Sequence, residues 1–307
     1  MAAARSSHRG LAAAATAFTL WGLFPVYLHP LRDVPALQVI AHRVTWSCLF
    51  LLAWLLARRE LWRLAATLTR PRLLAGLTAS ATLISCNWVV YVWSVTHHHI
   101  VDSSLGYYIN PLVNVVLGVI VLRERLNRIQ WSAVALAAIA VAYFTVLAGH
   151  PPWIALWLAV SFSLYGLVRK VISVDALPGL ATETLLLTPL AVTYLLWCTA
   201  AGNGALTRDG AAIAALLVGS GLVTAIPLFL FAYGARRLPY STVGILQYIA
   251  PSLQLLCGVL FYQESFGPAL ATGFGLIWSA LLLYAADGLW RTRAGAQGAL
   301  ARARPRR

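Results

Sequence analysis

The sequence predicts an all-α membrane protein with ten transmembrane helices, arranged as two inverted five-helix repeats with both termini cytoplasmic. Composition, an internal repeat and the placement of basic residues support this prediction. Of the 307 residues, 60% are hydrophobic and 10% are charged, which is more apolar material than a water-soluble core requires. A transmembrane helix needs about 20 apolar residues, so the chain has room for ten with short loops.

The predicted spans follow the apolar runs in chain order. The first run is as long as a span and nine more follow it, so we do not interpret it as a cleaved signal peptide. The four cysteines lie in four different spans without a Cys-x-x-Cys pattern, which favours packing over disulfides or metal binding. The ten spans are roughly 10–28, 35–57, 73–95, 103–122, 130–148, 152–168, 179–199, 211–234, 241–262 and 267–288.

The second half of the chain resembles the first. Phe-Thr-Leu-Trp-Gly-Leu at 18–23 recurs as Phe-Ser-Leu-Tyr-Gly-Leu at 162–167, and Tyr-Ile-Asn-Pro at 108–111 recurs as Tyr-Ile-Ala-Pro at 248–251. Because each unit has an odd number of spans, the second copy must insert upside down, as in inverted-repeat transporters. We predict one repeat at 10–148, a second at 152–288 and a basic cytoplasmic tail at 289–307.

The net charge of +14 follows from topology. With the N-terminus in the cytoplasm, all of the 23 basic residues except Arg32, Arg43 and Arg208 fall on the cytoplasmic side. This is the positive-inside distribution, which adds attraction to anionic membrane lipids and argues against nucleic-acid binding. Abundant Ala and Arg, with Lys170 as the one lysine, suggest a bacterial protein, and therefore the bacterial inner membrane.

Polar side chains mark the same place in the fourth and ninth predicted spans. Spacings of three and four residues put them on one face of each helix, and a proline lies in each face. Two helices broken at matching positions indicate a substrate site, whereas the alternative is that the polar groups only hold the bundle together. The residues are Tyr107, Asn110, Pro111 and Asn114 in the fourth span, and Gln247, Pro251 and Gln254, beside Tyr248, in the ninth.

Further candidates lie in other spans. Asn87 and Tyr91 share a face of the third span with Ser80 and Ser94, and Trp88 is adjacent. Trp21 and Tyr165 occupy equivalent positions in the first and sixth spans. Mid-span Trp and Tyr are unusual because these residues prefer the membrane interface, and both packing and ligand contact are open for them.

Two ionisable residues fall within spans. Arg43, in the second span, and Glu183, in the seventh, enter from opposite sides and are expected to be too far apart for a direct pair. Arg43 is predicted to contact substrate. Glu183 is either a proton-coupling carboxylate or a partner of neighbouring Thr182 or Thr184.

Other polar motifs point to no catalytic or metal chemistry. The run His97-His98-His99 lacks the second ligand cluster that a structural metal site requires. Glu124 and Glu264 follow the repeated prolines at equal distances, which suggests a shared role at helix ends. The chain has no Gly-x-x-x-x-Gly-Lys-Ser/Thr, His-Glu-x-x-His or Gly-x-Ser-x-Gly motif, so neither ATP binding nor an intramembrane enzyme is predicted. No cofactor or metal is expected.

These motifs together resemble the EamA family of the drug/metabolite transporter superfamily, and most closely its RarD branch. The likeness runs from about residue 10 to 290. It is carried by Trp21-Gly22-Leu23-Phe24-Pro25, His42-Arg43-Val44, Asn87-Trp88, the stretch from Ser104 to Asn114, Glu124-Arg125, Tyr165 to Lys170, Glu183-Thr184 and Gln247-Tyr248-Ile249.

The resemblance implies a central cavity among spans one, three, four, six, eight and nine, with spans five and ten as a scaffold or homodimer surface. It also implies a secondary transporter that moves a small molecule by alternating access. The alternatives are a membrane sensor or accessory protein that does not transport and, less favoured, an intramembrane enzyme.

Overall fold

The computed structural model of the chain describes residues 2–123, 126–172, 174–235 and 246–303, which form helices and connecting turns without a β-strand. The all-helical prediction is therefore confirmed for these residues. The helices are α1 (Ala2–Gly22), α2 (Phe24–Leu28), α3 (Ala36–Ala57), α4 (Leu61–Leu68), α5 (Pro71–Thr96), α6 (Ile100–Leu122), α7 (Arg128–Ala148), α8 (Trp153–Val171), α9 (Ala176–Ala200), α10 (Ala205–Arg208), α11 (Ala211–Ala235), α12 (Ile249–Leu260) and α13 (Pro268–Ala303), with a 3-10 turn at His29–Leu31.

Seven helices in this part of the chain are long and apolar enough to cross a membrane, and the bent pair α1–α2 makes eight. The predicted sixth and ninth spans correspond to shorter apolar helices, at Trp153–Arg169 and Ile249–Leu260. The start of the predicted ninth span lies outside the described residues. The count of ten spans, the repeats and the side on which the termini lie stay predictions.

A proline divides the first predicted span in two. The helix direction changes by 43° between α1 and α2, because Pro25 has no N–H to donate to the carbonyl of Trp21, four residues earlier. That carbonyl instead accepts a hydrogen bond from Gln254 Nε2 of α12 (3.2 Å). The hydroxyl of Tyr262 donates to the carbonyl of Pro25 (2.9 Å). Side chains of the second half therefore hold the bend in place.

The two repeated prolines differ in how they affect their helices. α6 continues through Pro111. Pro251 is the third residue of α12, which follows a turn at residues 247–248. Residues 236–245 lie outside the described residues, so a break of the ninth span at Pro251 stays a prediction. The break predicted at Pro111 was therefore wrong, and a break that was not predicted lies between α1 and α2, just before Pro25.

The helices pack in pairs that combine the two halves of the chain. α1 lies against α11, while α5 and α6 lie against α8. In addition α3 packs on α9, α6 on α12 and α7 on α13. Phe144 and Phe274 belong to a buried cluster that joins α6, α7, α8, α12 and α13. Many large apolar side chains point outward, among them Leu190 and Leu282, which are 74% and 71% exposed, as expected for a surface that faces lipid.

Glu264 lies in the turn after α12 and caps the start of α6. Its two carboxylate oxygens accept hydrogen bonds from the backbone N–H groups of Ile100 (2.7 Å) and Val101 (2.8 Å), which have no partner within the helix. Burial raises the pKa of Glu264 above its ordinary value, and the two backbone hydrogen bonds oppose that rise. Glu124, predicted to act similarly, lies outside the described residues.

Candidate functional site

Arg43 is buried inside the helix bundle. It extends from the first half of α3 and is 6% exposed. Its Nε donates to Thr224 Oγ1 of α11 (3.0 Å). Its Nη1 is buried and has no hydrogen-bond partner in the part of the chain that the structure describes. The guanidinium therefore has one anchored nitrogen and at least one donor that is still available.

Aromatic rings surround this guanidinium. Its central carbon lies 4.6 Å from the ring centre of Phe24 and 4.5 Å from that of Trp88, within range of cation–π attraction. Tyr91 stacks on Phe24 with ring centres 6.1 Å apart, and Tyr107 meets Tyr91 edge-on at 5.7 Å. We call Phe24, Arg43, Trp88, Tyr91 and Tyr107 the Arg43 cage.

The cage leaves two buried polar groups unsatisfied. Besides Arg43 Nη1, the hydroxyl oxygen of Tyr91 is buried and has no partner among the described residues. Buried polar groups are hydrogen-bonded in the great majority of cases, and a buried cation without a counter-charge is costly. A ligand that accepts hydrogen bonds would satisfy unpartnered donors of this kind.

A row of aromatic rings leads from the cage towards Glu183. Tyr107 meets Phe162 edge-on with ring centres 6.1 Å apart, and Phe162 lies 5.9 Å from Tyr165. The Tyr165 hydroxyl then donates to Glu183 Oε2 (3.5 Å). We call Tyr91, Tyr107, Phe162 and Tyr165 the aromatic row. The last three are half-buried, so part of each side chain is accessible.

Glu183 forms a polar cluster at the other end of this row. The residue is 1% exposed, and the Ser80 hydroxyl of α5 donates to its Oε1. Arg169 Nη1, from the last turns of α8, lies 3.4 Å from the same oxygen. The carboxylate therefore has both a hydrogen-bond donor and a counter-charge, and it does not pair with Arg43.

The prediction that Glu183 pairs with Thr182 or Thr184 was wrong. The Thr182 hydroxyl donates to the backbone carbonyl of Pro178 and that of Thr184 to carbonyls one turn earlier in α9, because hydroxyls within a helix readily bond back to the preceding turn. Sequence reasoning treated Arg169 only as a marker of topology and missed it as the partner.

Asn87 and Asn110 both attach their helices to α8. Asn87 Nδ2 donates to the carbonyl of Leu158 (3.1 Å) and to Ser161 Oγ (2.9 Å). Asn110 Nδ2 donates in the same way to the carbonyl of Ala159 (3.1 Å) and to Ser163 Oγ (3.0 Å). Both asparagines are fully buried. This arrangement favours the bundle-holding alternative for these two residues over direct substrate contact.

The remaining predicted residues connect α6 with the turn that leads into α12. Asn114 Nδ2 (3.1 Å) and Gln247 Nε2 (3.3 Å) both donate to Asn110 Oδ1. Tyr248 stacks on Tyr108 with ring centres 6.4 Å apart. Asn114 is exposed, while Gln247 and Tyr248 are half-buried. These contacts lie where the first and second halves of the chain meet.

The structure thus separates the predicted site residues into groups. Arg43, Trp88, Tyr91 and Tyr107 are together in the cage, and Tyr165 joins Glu183. Trp21 instead packs its ring against Phe18 and Phe231, and Gln254 holds the carbonyl of Trp21. Sequence reasoning missed Phe24, Phe162 and Thr224, because apolar rings and one hydroxyl in an apolar run are indistinguishable from packing residues.

Comparison with known proteins decides the family. Residues 8–146 match the model of the EamA-like transporter family. Protein RarD of Streptomyces exfoliatus is 44% identical over 294 residues, which cover 95% of this chain and 93% of that protein. The chain belongs to the EamA family, in its RarD branch. The predicted resemblance is therefore confirmed, and the apolar helices together with the family identify a multi-pass membrane protein.

Other proteins are similar to this EamA member over nearly its whole length. An uncharacterized transporter of Vibrio cholerae is 44% identical over 93% of this chain and 94% of its own. The chloramphenicol-sensitive protein RarD of Pseudomonas aeruginosa is 33% identical over 91% of this chain and 94% of its own. A crystal structure that is 20% identical matches 92% of this chain and 96% of its own with a TM-score of 0.57, which is a likeness of fold alone.

Proposed function

We propose that this EamA member is a secondary transporter that moves a small metabolite or drug-like solute by alternating access, binding it between the two halves. The observation that carries the proposal is the aromatic row with a buried ionisable residue near each end, Arg43 and Glu183. Ionisable residues inside a membrane protein are costly and usually mark substrate or proton pathways. The names of its relatives as transporters support the same function.

The packing of the helices supports inverted repeats as the basis of that movement. The contact of α1 with α11 corresponds to the contact of α8 with α5. In addition, α3 packs on α9, α6 on α12 and α7 on α13. A two-fold axis in the membrane plane would exchange these partners. In this proposal ten spans cross a bacterial inner membrane with both termini in the cytoplasm, and one half rocks against the other.

Glu183 is the residue that we propose for proton coupling. Its carboxylate is held by Ser80 and Tyr165 and balanced by Arg169. Protonation would remove its charge and release Arg169, so proton binding and the movement of α8 against α9 would be linked.

The outer surface fits lipid contact. Ile139 and Val146 of α7 and Leu282 of α13 are more than half exposed, so α7 and α13 would face lipid or a second copy in a homodimer. Neither nucleic acid nor a cofactor has a part in this proposal.

Reconstitution of the purified full-length protein into liposomes tests the proposal. A panel of radiolabelled solutes, including chloramphenicol and aromatic acids, amines and amides, is applied with and without a pH gradient. We expect saturable uptake of at least one solute, and loss of uptake in folded Arg43→Gln and Glu183→Gln. The exposed Arg208→Gln is the matched control. If folded wild-type protein moves no solute faster than protein-free liposomes, the sensor or accessory alternative is favoured.

A further inference from the structure

The two buried ionisable groups near the ends of the aromatic row differ in how their charge is balanced. Glu183 has Arg169 Nη1 at 3.4 Å, so its cluster carries little net charge. Arg43 has the neutral Thr224 hydroxyl and aromatic rings as neighbours. None of the ion pairs among the described residues includes Arg43. The cage end of the row is therefore positively charged.

The unsatisfied donors of the cage match a carboxylate. A guanidinium presents its N–H groups in a planar fork that fits two carboxylate oxygens. Thr224 holds Nε and thereby fixes the plane of the guanidinium, while Nη1 stays buried and unpartnered. The Tyr91 hydroxyl, also unpartnered, offers a further donor from the neighbouring helix.

The rings of the cage stabilise the charge of Arg43 and indicate what else the cage would bind. Phe24 and Trp88 stabilise the cation through their faces when no ligand is present. Trp88 beside the charge, and Tyr107 and Phe162 further along the row, are only half-buried, so part of each side chain is accessible. A flat apolar body would stack on these rings, whereas a compact ion such as acetate would leave them uncovered.

We propose that the Arg43 cage is a binding site for a small organic anion whose carboxylate pairs with Arg43 and whose flat apolar ring lies along the aromatic row. This assignment names the substrate class of the proposed transporter and rests on that function. The proton site at Glu183 then stays separate from the anion site.

Calorimetric titration of the purified full-length protein with four probes tests the site. Benzoate has the charge and the ring, benzamide has the ring without the charge, benzylamine has the opposite charge, and acetate has the charge without the ring. We expect benzoate to bind at least about tenfold more tightly than benzamide, which is the usual value of one charge-assisted contact. Benzylamine and acetate should bind more weakly still. This comparison uses the wild-type protein and does not depend on any variant folding.

Variants then locate the charge that selects the anion. Arg43→Gln should remove the preference for benzoate over benzamide. Arg43→Lys should keep a reduced preference, because it retains the charge and loses the planar fork. The matched control Arg208→Gln, whose arginine pairs with Asp209 on the surface, should behave as wild type.

Uptake of the same probes into liposomes separates failure of this inference from failure of the proposed function. If benzamide or benzylamine binds and is transported as well as benzoate, with no effect of Arg43→Gln, the anion site is overturned and transport stands. If benzoate binds through Arg43 and no probe crosses the membrane, the anion site stands and transport is contradicted. If the folded wild-type protein binds no anion, the inference is overturned.

Discussion

Arg43 and Glu183 occupy the same position in two helices that pack on each other, since each is the eighth residue, of α3 and of α9. Each also forms a hydrogen bond with a hydroxyl from the other half of the chain. Arg43 donates to Thr224 of α11, and Glu183 accepts from Ser80 of α5. The two halves therefore place side chains of opposite charge at corresponding positions. The helix packing is similar at both positions, but one holds a cation and the other a carboxylate.

The ion pair of Glu183 predicts a specific pattern of stability. Arg169→Ala should destabilise the protein by about 3–5 kcal/mol, because it leaves a buried carboxylate without its counter-charge. The double variant Arg169→Ala with Glu183→Gln should recover part of this loss, since the glutamine carbonyl can still accept from Ser80. Melting temperatures in detergent measure both effects. A double variant no more stable than Arg169→Ala alone would contradict the pairing.

Asn110 allows a test between its two possible roles. Asn110→Ala should lower stability by about 1–3 kcal/mol, because the carbonyl of Ala159 and the hydroxyl of Ser163 both lose a donor. Solute binding by the variant that stays folded should be nearly unchanged. Thermal unfolding and calorimetric binding on the same sample check the two expectations. Unchanged stability together with lost binding would instead place Asn110 in contact with substrate.

Much of the fold could be predicted from apolar runs, because a membrane helix satisfies its own backbone and needs only about 20 apolar residues. The position of the bend could not be predicted in this way. The sequence singled out Pro111 and Pro251, whereas the bend between α1 and α2 lies just before Pro25. Pro251 lies in a first turn, and α6 continues through Pro111.

Prediction of the candidate site was uneven for a similar reason. Spacing along one helix identified Tyr91 and Tyr107, but contacts between helices depend on how the helices pack. Sequence spacing therefore carried no information that Thr224 would reach Arg43 or that Arg169 would reach Glu183. The same spacing also did not distinguish Asn110, which bonds to a neighbouring helix, from residues around an open ligand site.

Glu264 predicts a pH dependence of stability. Burial raises its pKa, so the folded state holds the proton more tightly than the unfolded state. The stability that the protein gains from this tighter proton binding is fully present below the ordinary pKa of 4.5. It is lost as pH rises through the higher pKa of Glu264 in the folded state. The melting temperature of wild type relative to Glu264→Gln should therefore fall as pH rises through this window. If the melting temperature of wild type instead rose relative to that of Glu264→Gln as pH increased, the raised pKa of Glu264 would be contradicted.

Gly106 predicts an effect of size at the contact between α6 and α8. A Cβ added there would lie 2.8 Å from the carbonyl oxygen of Ala155 and 3.1 Å from Leu158 Cβ. Gly106→Ala should therefore cost about 1–3 kcal/mol of stability from overpacking. Gly166→Ala on α8 is the matched control, because nothing lies within 4 Å of its added Cβ. Equal melting temperatures of the two variants would contradict this prediction, because they would show that α6 and α8 accommodate the added Cβ without loss of stability.

Accessibility of the aromatic row from both sides of the membrane tests alternating access most directly. Phe162→Cys, in a background without the four native cysteines, is exposed to a membrane-impermeant thiol reagent from the outside or the inside of liposomes. Trp157→Cys on the outer face of α8, where the tryptophan is 47% exposed, is the lipid-facing control. Alternating access predicts labelling at position 162 from each side, with substrate changing the ratio, and no labelling at position 157. Labelling at 162 from one side only, with or without substrate, would contradict alternating access.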